Sequence, residues 1–114
     1  MLKIGITGGI GSGKTVVSKI LESLHFPVFY SDHIAKEILN NNFEVRQRLI
    51  DLFDDRIFEN DRLNKELLAS IIFSDDHARL EVNRLVHPKV REAFDLFASN
   101  HNTSLVFNEA AILF

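Results

Sequence analysis

The sequence contains no cysteine, which excludes a disulfide framework and thiolate chemistry. It also lacks an excess of positive charge: the formal net charge is -3 at pH 7, so nothing indicates a general nucleic-acid or membrane-binding surface. No apolar run approaches the roughly 20 residues that a membrane span requires, and the N-terminus enters a strand pattern without a signal peptide. These absences predict a protein of the cytoplasm.

The 114 residues otherwise have an ordinary globular composition, with 46% hydrophobic and 25% charged residues. This length suits one domain or part of one. Apolar patterns predict strands at about residues 2–7, 28–30 and 104–109, with helices between them. The order is that of an α/β protein, and the run of helices between the second and third strands reads as an insertion.

A glycine-rich stretch, ITGGIGSGKTV, follows the first predicted strand. Gly8, four further residues and then Gly13-Lys14-Thr15 fit the P-loop pattern G-x-x-x-x-G-K-[ST]. Such glycines let backbone N–H groups converge on a phosphate, and the helix that follows directs its positive end there. In this pattern Lys14 reaches the β- and γ-phosphates, and the Thr15 hydroxyl ligates Mg²⁺. The alternative is a glycine-rich turn that matches the pattern by chance. The predicted strand before it and the predicted helix after it favour the P-loop.

Asp32 directly follows the end of the second predicted strand. In open α/β sheets the carboxyl ends of the strands face the ligand crevice. A carboxylate there can accept a proton from a substrate hydroxyl, or orient that hydroxyl for attack on the γ-phosphorus. The alternative is a helix cap, a common role for aspartate at this place, but Ser31 can also fill it. Position alone leaves both interpretations open.

The segment HPKVR contains further candidates. Ser74 is predicted to cap a helix that runs through Val86, and Pro88 is predicted to end that helix and begin another. Arg91 would then lie near a helix N-terminus, where it could hold a phosphate; a solvated surface arginine is the alternative. His87, beside the predicted break, suits packing or hydrogen bonding to freed carbonyls better than catalysis.

Taken together, the segments IGITGGIGSGKT, SDHIAKEI, LVHPKVR and a strand followed by ILF resemble the dephospho-coenzyme A kinase family over essentially the whole chain. This resemblance implies a P-loop NTPase-type parallel sheet with a core at 1–33 and 103–114, and a helical insertion at about 34–102 on the substrate side. It implies transfer of the γ-phosphoryl group of ATP to the ribose 3′-hydroxyl of dephospho-CoA, with Mg²⁺. Another P-loop small-molecule or nucleotide kinase and a non-catalytic nucleotide-binding module are the alternatives.

The resemblance also implies which residues form the site. Asp32 matches the second aspartate of the family motif D-A-D-x-I-A-[RK] and would be the catalytic base, acting with Lys14. The residues expected to hold ATP are Gly9, Gly11, Ser12, Gly13, Lys14, Thr15 and Val16. The residues expected on the dephospho-CoA side are Asp32, Lys36, His87 and Arg91.

The sequence departs from the family pattern in several places. Tyr30 and Ser31 replace the first aspartate and the alanine of D-A-D. Glu109 replaces the aspartate of D-V-P-L-L-F-E; it could order Mg²⁺ through water, or have no metal role. The family continues beyond Phe114 through a lid and more strands, so we expect this chain to be an N-terminal portion that is poorly active alone. Strand one would pair with strand three and leave an open edge prone to self-association.

Overall fold

The computed structural model of this chain describes residues 2–8 and 13–110. The chain divides into two units, the first made of Met1–Ile34 and Val90–Phe114, the second of Ala35–Lys89. No helix within the described ranges has the length and apolar character needed to cross a membrane. The elements in chain order are β1 (Leu2–Thr7), α1 (Lys14–Ser23), β2 (Val28–Tyr30), α2 (Ser31–Asn41), α3 (Phe43–Phe53), a 3₁₀ turn (Asp55–Ile57), β3 (Phe58–Glu59), β4 (Arg62–Leu63), α4 (Lys65–Ser74), α5 (Asp76–Ser99) and β5 (Leu105–Ala110).

The first unit contains a parallel sheet whose described strands run in the order β1-β5-β2. The predicted α/β class, the three strands and the pairing of the first with the third are therefore confirmed. On the central strand β5, the successive residues Val106 and Phe107 are both buried, as a strand covered on both faces requires. The register pairs Glu109 with Ile6 on one side and with Tyr30 on the other, so Glu109 lies near the carboxyl end of all three strands.

Aromatic rings form the core of the first unit. Phe29 of β2 is buried, and its ring lies 5.2 Å from that of Phe94 and 5.4 Å from that of Phe97, both on α5. These contacts place the last turns of α5 with the sheet. The residues from Val90 onward accordingly belong to the first unit, whereas the sequence suggested an insertion over about 34–102.

The second unit has an apolar interior built around α3. Val45, Leu49 and Ile57 are completely buried, in keeping with the amphipathic pattern of that helix. The helix begins at a capping residue, because the Asn42 side-chain oxygen accepts a hydrogen bond from the Val45 backbone N–H at 3.0 Å. The cap fixes where α3 begins, and packing of its buried stripe against the rest of the unit stabilises the helix.

A short antiparallel hairpin, β3–β4, follows the 3₁₀ turn and was missed by the sequence analysis. Its turn residues Asn60 and Asp61 have φ values of 52° and 66°, which are typical of a two-residue hairpin turn. The Arg46 guanidinium holds the turn through the Asp61 carboxylate at 2.7 Å. The Asn-Asp pair between two short apolar-containing runs is the signal that could have indicated it. Leu63 of β4 is buried.

The predicted helix break at Pro88 is wrong, because α5 is continuous over 24 residues with Pro88 inside it. An interior proline removes a backbone hydrogen bond and costs about 3 kcal/mol in a free helix. Burial of Val82, Val86 and Ala98 along the same helix offsets that cost. Arg91 therefore lies in the interior of a long helix, so the positive end of a helix cannot assist it as we expected.

The cap predicted for this helix is also wrong. Ser74 is the last residue of α4, and its hydroxyl donates a hydrogen bond to the Ser70 carbonyl at 2.9 Å. The next residue, Asp75, is the cap: its carboxylate accepts hydrogen bonds from the backbone N–H groups of His77 at 3.0 Å and Ala78 at 3.2 Å. Both residue types are good caps, and only the end of α4 decides between them.

Candidate functional site

The P-loop begins after β1 and ends at the start of α1, as the sequence predicts. Gly13 precedes the helix with φ 85° and ψ 6°, a left-handed conformation that favours glycine, and its carbonyl accepts the first helical hydrogen bond from Val17 at 3.1 Å. Lys14, Thr15 and Val16 form the first turn of α1, at its positive end. The predicted phosphate-binding residues Gly9, Gly11 and Ser12 lie outside the described residues.

Lys14 lies between two carboxylates that come from distant parts of the sequence. Its Nζ atom is 3.6 Å from Oδ2 of Asp32 and 3.9 Å from Oε1 of Glu109. Its side chain is largely buried, with 15% of its surface exposed. The three side chains come from α1, α2 and β5, and they meet at the carboxyl end of the parallel sheet. That edge is where α/β proteins of this kind bind their ligands.

Glu109 is the most buried of the three charged groups, with 9% of its side chain exposed. A carboxylate in such a place is costly unless a positive charge or hydrogen bonds compensate it. Oε1 faces Lys14, but no described residue forms a hydrogen bond with the buried Oε2 atom. The site thus contains an oxygen acceptor that the described part of the protein does not use.

Asp32 is the more accessible carboxylate, with 44% of its side chain exposed. It lies in the first turn of α2, where the helix dipole favours a negative charge, rather than in the position before the helix that a cap takes. This placement beside Lys14 favours the interpretation of Asp32 as a site residue. Ser31, expected as an alternative cap, is the first residue of α2, and its hydroxyl donates a 2.5 Å hydrogen bond to Oδ1 of Asn108.

Tyr30 connects β2 to α1. Its hydroxyl donates a hydrogen bond to the Glu22 carboxylate in the last turns of α1, and Lys19 lies 3.8 Å from the same carboxylate. Burial and the hydrogen bond to Glu22 raise the pKa of Tyr30 to about 12, so the phenol stays protonated at neutral pH. In the sequence, Tyr30 stands out only as a departure from the family motif. No local pattern indicates its contact with Glu22 or the Ser31–Asn108 contact, whose partners are 77 residues apart.

The residues predicted on the dephospho-CoA side are exposed. Arg91 is an exposed residue of α5 in the first unit. Lys36 on α2 and His87 on α5 are also exposed, and both belong to the second unit. The structure therefore brings Lys14, Asp32 and Glu109 together, whereas the roles of the other three residues stay predictions.

The oxygen atoms at this site suit Mg²⁺ bound with a nucleotide. Among the residues that the structure describes, no group of three or more His, Cys, Asp or Glu side chains is placed to hold a metal ion by itself. Mg²⁺ usually takes few protein oxygens and completes its shell with water and phosphate oxygens. The exposed Thr15 hydroxyl and the unpartnered Oε2 of Glu109 fit that requirement.

The parallel sheet and the glycine–lysine–threonine sequence at the start of α1 are those of the P-loop class of proteins. Within that class, the family model described as "Dephospho-CoA kinase" matches residues 2–114. The chain belongs to the dephospho-CoA kinase family, which confirms the resemblance found in the sequence.

Individual relatives agree with this assignment, and solved structures share the fold. A dephospho-CoA kinase of Bacteroides fragilis is 41% identical over 113 residues, which cover 98% of this chain and 55% of that protein. A dephospho-CoA kinase of Porphyromonas gingivalis is 44% identical, over 100% of this chain and 56% of that protein. A Thermus thermophilus crystal structure superposes with a TM-score of 0.83 at 35% identity, covering 98% of this chain and 56% of that one.

Dephospho-CoA kinase from Campylobacter jejuni shares the fold, with a TM-score of 0.72 at 24% identity, covering 98% of this chain and 58% of that one. The chain spans about half the length of the curated relatives it matches, 55% and 56% for the two named above.

Proposed function

We propose that the gene product containing this chain phosphorylates the ribose 3′-hydroxyl of dephospho-CoA with ATP, to give CoA. The observation that carries the proposal is the position of Lys14, at the start of the P-loop helix and within 3.6 Å of Asp32 and 3.9 Å of Glu109. Family membership supports the choice of acceptor. A nucleotide and a nucleotide-like cofactor as substrates suit a small-molecule kinase of the cytoplasm, without nucleic-acid or membrane partners.

Lys14 and the turn around it bind the phosphates of ATP in this proposal. The Lys14 ammonium group is a mobile point charge that can move from the carboxylates to the β- and γ-phosphate oxygens. Charge neutralisation at those oxygens is most of what a protein contributes to phosphoryl transfer. The residues that we assign to the phosphates are Gly9, Gly11, Ser12, Gly13, Lys14, Thr15 and Val16.

Thr15 and Glu109 are the candidate residues for Mg²⁺. When bound, Mg²⁺ would neutralise negative charge on the phosphates. The Thr15 hydroxyl is exposed at the start of α1. Glu109 lies on the strand next to β1 and has an unused buried oxygen, so we assign it to a water of the metal's coordination shell.

Asp32 is assigned as the base. Its exposed carboxylate accepts the proton of the 3′-hydroxyl while the hydroxyl oxygen forms its bond to the γ-phosphorus, and the bond from that phosphorus to the ADP oxygen breaks. Arg91, His87 and Lys36 are assigned to the dephospho-CoA molecule. All three are exposed basic or titratable side chains suited to its phosphate groups.

The test is a coupled ADP-release assay on the full-length gene product with ATP and Mg²⁺. The acceptors are dephospho-CoA, a set of nucleoside monophosphates and a set of small alcohols. We expect release that depends on dephospho-CoA. Faster release with a monophosphate or an alcohol would support the alternative kinase, and nucleotide binding without release for any acceptor would support a binding module.

We also propose that residues 1–114 by themselves self-associate through α1 and the open edge of β1. Only β5 among the described strands pairs with β1. The exposed large apolar side chains of these two elements are Leu2, Val16, Val17 and Ile20, with between 47% and 63% of each residue exposed. An apolar edge of this kind is a template for a second chain. Sedimentation should show dimers or larger species that Ile20→Glu disperses; a wild-type monomer at high concentration would contradict the proposal.

A further inference from the structure

The two carboxylates that face Lys14 are each preceded by a residue that takes part in one shared hydrogen bond. Ser31, directly before Asp32, donates its hydroxyl to the side-chain oxygen of Asn108, directly before Glu109, at 2.5 Å. The backbone pairing between β2 and β5 ends at Tyr30–Glu109, so Asp32 lies beyond the last paired residues. The Ser31–Asn108 bond therefore connects the first residue beyond the strand pairing back to a paired residue of β5.

Burial gives this connection its strength. Ser31 is 8% exposed, so water competes poorly for its hydroxyl. Loss of the Asn108 side chain would leave the buried Ser31 hydroxyl without this hydrogen bond, which costs more than the bond itself contributes. The bond thus holds the start of α2 at a set distance from β5, and with it the Asp32 carboxylate.

We infer that Ser31 and Asn108 are positioning residues. They hold the carboxylates of Asp32 and Glu109 in place beside the Lys14 ammonium group. The inference rests on the proposed function, because it assigns the pair to the geometry of phosphoryl transfer. Neither residue touches a substrate in this account; they act through the two carboxylates.

Tyr30 supplies a matched control. It lies one residue earlier and also uses a hydroxyl for a hydrogen bond, but its acceptor, Glu22, is at the far end of α1 from Lys14. Tyr30→Phe removes that bond and keeps the ring. If only the Ser31–Asn108 bond positions the carboxylates, the two hydroxyl deletions should have different effects on kcat.

The experiment measures dephospho-CoA-dependent ADP release by the full-length gene product, together with its free energy of unfolding. We expect Ser31→Ala and Asn108→Ala each to lower kcat about tenfold, with KM for ATP changed less than about twofold. The double variant should be no slower than either single variant, because both remove the same bond. Ser31→Thr, which keeps a hydroxyl, should restore most of kcat, and Tyr30→Phe should leave kcat unchanged.

A wild-type kcat in folded Ser31→Ala and Asn108→Ala would overturn the inference and leave the proposed function intact. An equal loss of kcat in Tyr30→Phe would also overturn it, because the effect would then not be specific to the Ser31–Asn108 hydrogen bond. Losses that add in the double variant would show two separate structural effects and overturn it as well. No dephospho-CoA-dependent release by the unaltered protein would refute the proposed function, and the inference with it. If Ser31→Ala does not fold, the comparison of Asn108→Ala with Tyr30→Phe decides.

Discussion

The two units of this chain differ in what they bury. The second unit, Ala35–Lys89, has an interior of apolar side chains that includes Val45, Leu49 and Ile57 with no exposed surface. Its helices α3 and α4 both begin at asparagine caps whose hydrogen bonds are formed. The first unit buries Ser18, Ser31 and Glu109 among its apolar core residues. Both units leave large apolar side chains exposed, among them Ile20 in the first and Phe43 and Phe73 in the second.

This difference separates a region built for stability from a region built for chemistry. Ser18 Oγ and Glu109 Oε2 are the buried side-chain atoms without a hydrogen-bond partner among the described residues, and both belong to the first unit. Such atoms lower stability and are tolerated where a ligand or a reaction uses them. The second unit contains most of the buried apolar side chains that the structure describes and the asparagine caps, which serve packing and helix capping.

The largest expected effect is that of Lys14→Ala in the first unit. The substitution removes the charge that neutralises the transferring phosphoryl group, so ADP release should fall at least ~10³-fold. The fold should be retained, as circular dichroism would show. Lys19→Ala is the control, because Lys19 is on the same helix and its side chain is 71% exposed. Near-normal turnover by Lys14→Ala would refute the P-loop assignment.

Asp32→Asn should lower kcat by ~10²–10⁴ while the affinity for ATP changes little, because an amide keeps the shape but cannot take a proton. Steady-state kinetics and nucleotide binding separate the two effects. Asp95→Asn is a suitable control, since Asp95 is an exposed carboxylate that pairs with Lys3 in the same unit. A loss smaller than about threefold would return Asp32 to a purely structural role.

The contrast in packing predicts unequal responses to truncation. Leu49→Ala in the second unit should lower the free energy of unfolding by about 2–5 kcal/mol, because it leaves a cavity in a closed core. Ile20→Ala in the first unit should change it by about 0.5 kcal/mol or less, because Ile20 is 53% exposed. Urea unfolding at low protein concentration measures both. Equal losses would mean that the exposed face of α1 is packed in solution.

Arg91→Ala should raise KM for dephospho-CoA about tenfold and leave KM for ATP nearly unchanged, as expected for the loss of one charge-assisted hydrogen bond to the acceptor. Arg84→Ala provides the control, because Arg84 is exposed on the same helix and pairs with Glu81. A larger change in KM for ATP would show that the two substrates had been assigned to the wrong residues.

The smallest expected effect is a pH dependence at Tyr30. Its pKa, raised from 10.0 to about 12, means that the folded state favours the protonated phenol. The stability that follows is complete below pH 10 and is lost as pH rises toward 12. The sequence has one tyrosine and no tryptophan, so tyrosinate absorbance reports this residue alone. Glu22→Gln should shift the pKa back toward 10, and an unchanged pKa would remove Glu22 as a cause.

Local patterns in the sequence predicted much of this structure correctly. The P-loop spacing, the apolar run of β1 and the helical spacing in α1 each depend on neighbouring residues, and all lie where expected. The same holds for β2 and β5. A local pattern predicts secondary structure well where the conformation of a residue depends mainly on residues near it in the sequence.

The sequence by itself determined the class of protein, the phosphate-binding lysine and Asp32 as a candidate base. Only the tertiary structure decided that Glu109 lies beside Lys14 and that Ser31 forms a hydrogen bond with Asn108. Both contacts depend on the register in which β5 pairs with β2, and no local sequence pattern predicts that register. The continuity of α5 through Pro88 was decided in the same way, since core burial along the helix outweighs a local break signal. Secondary-structure propensity depends on neighbouring residues, whereas strand register and side-chain burial depend on contacts across the whole fold.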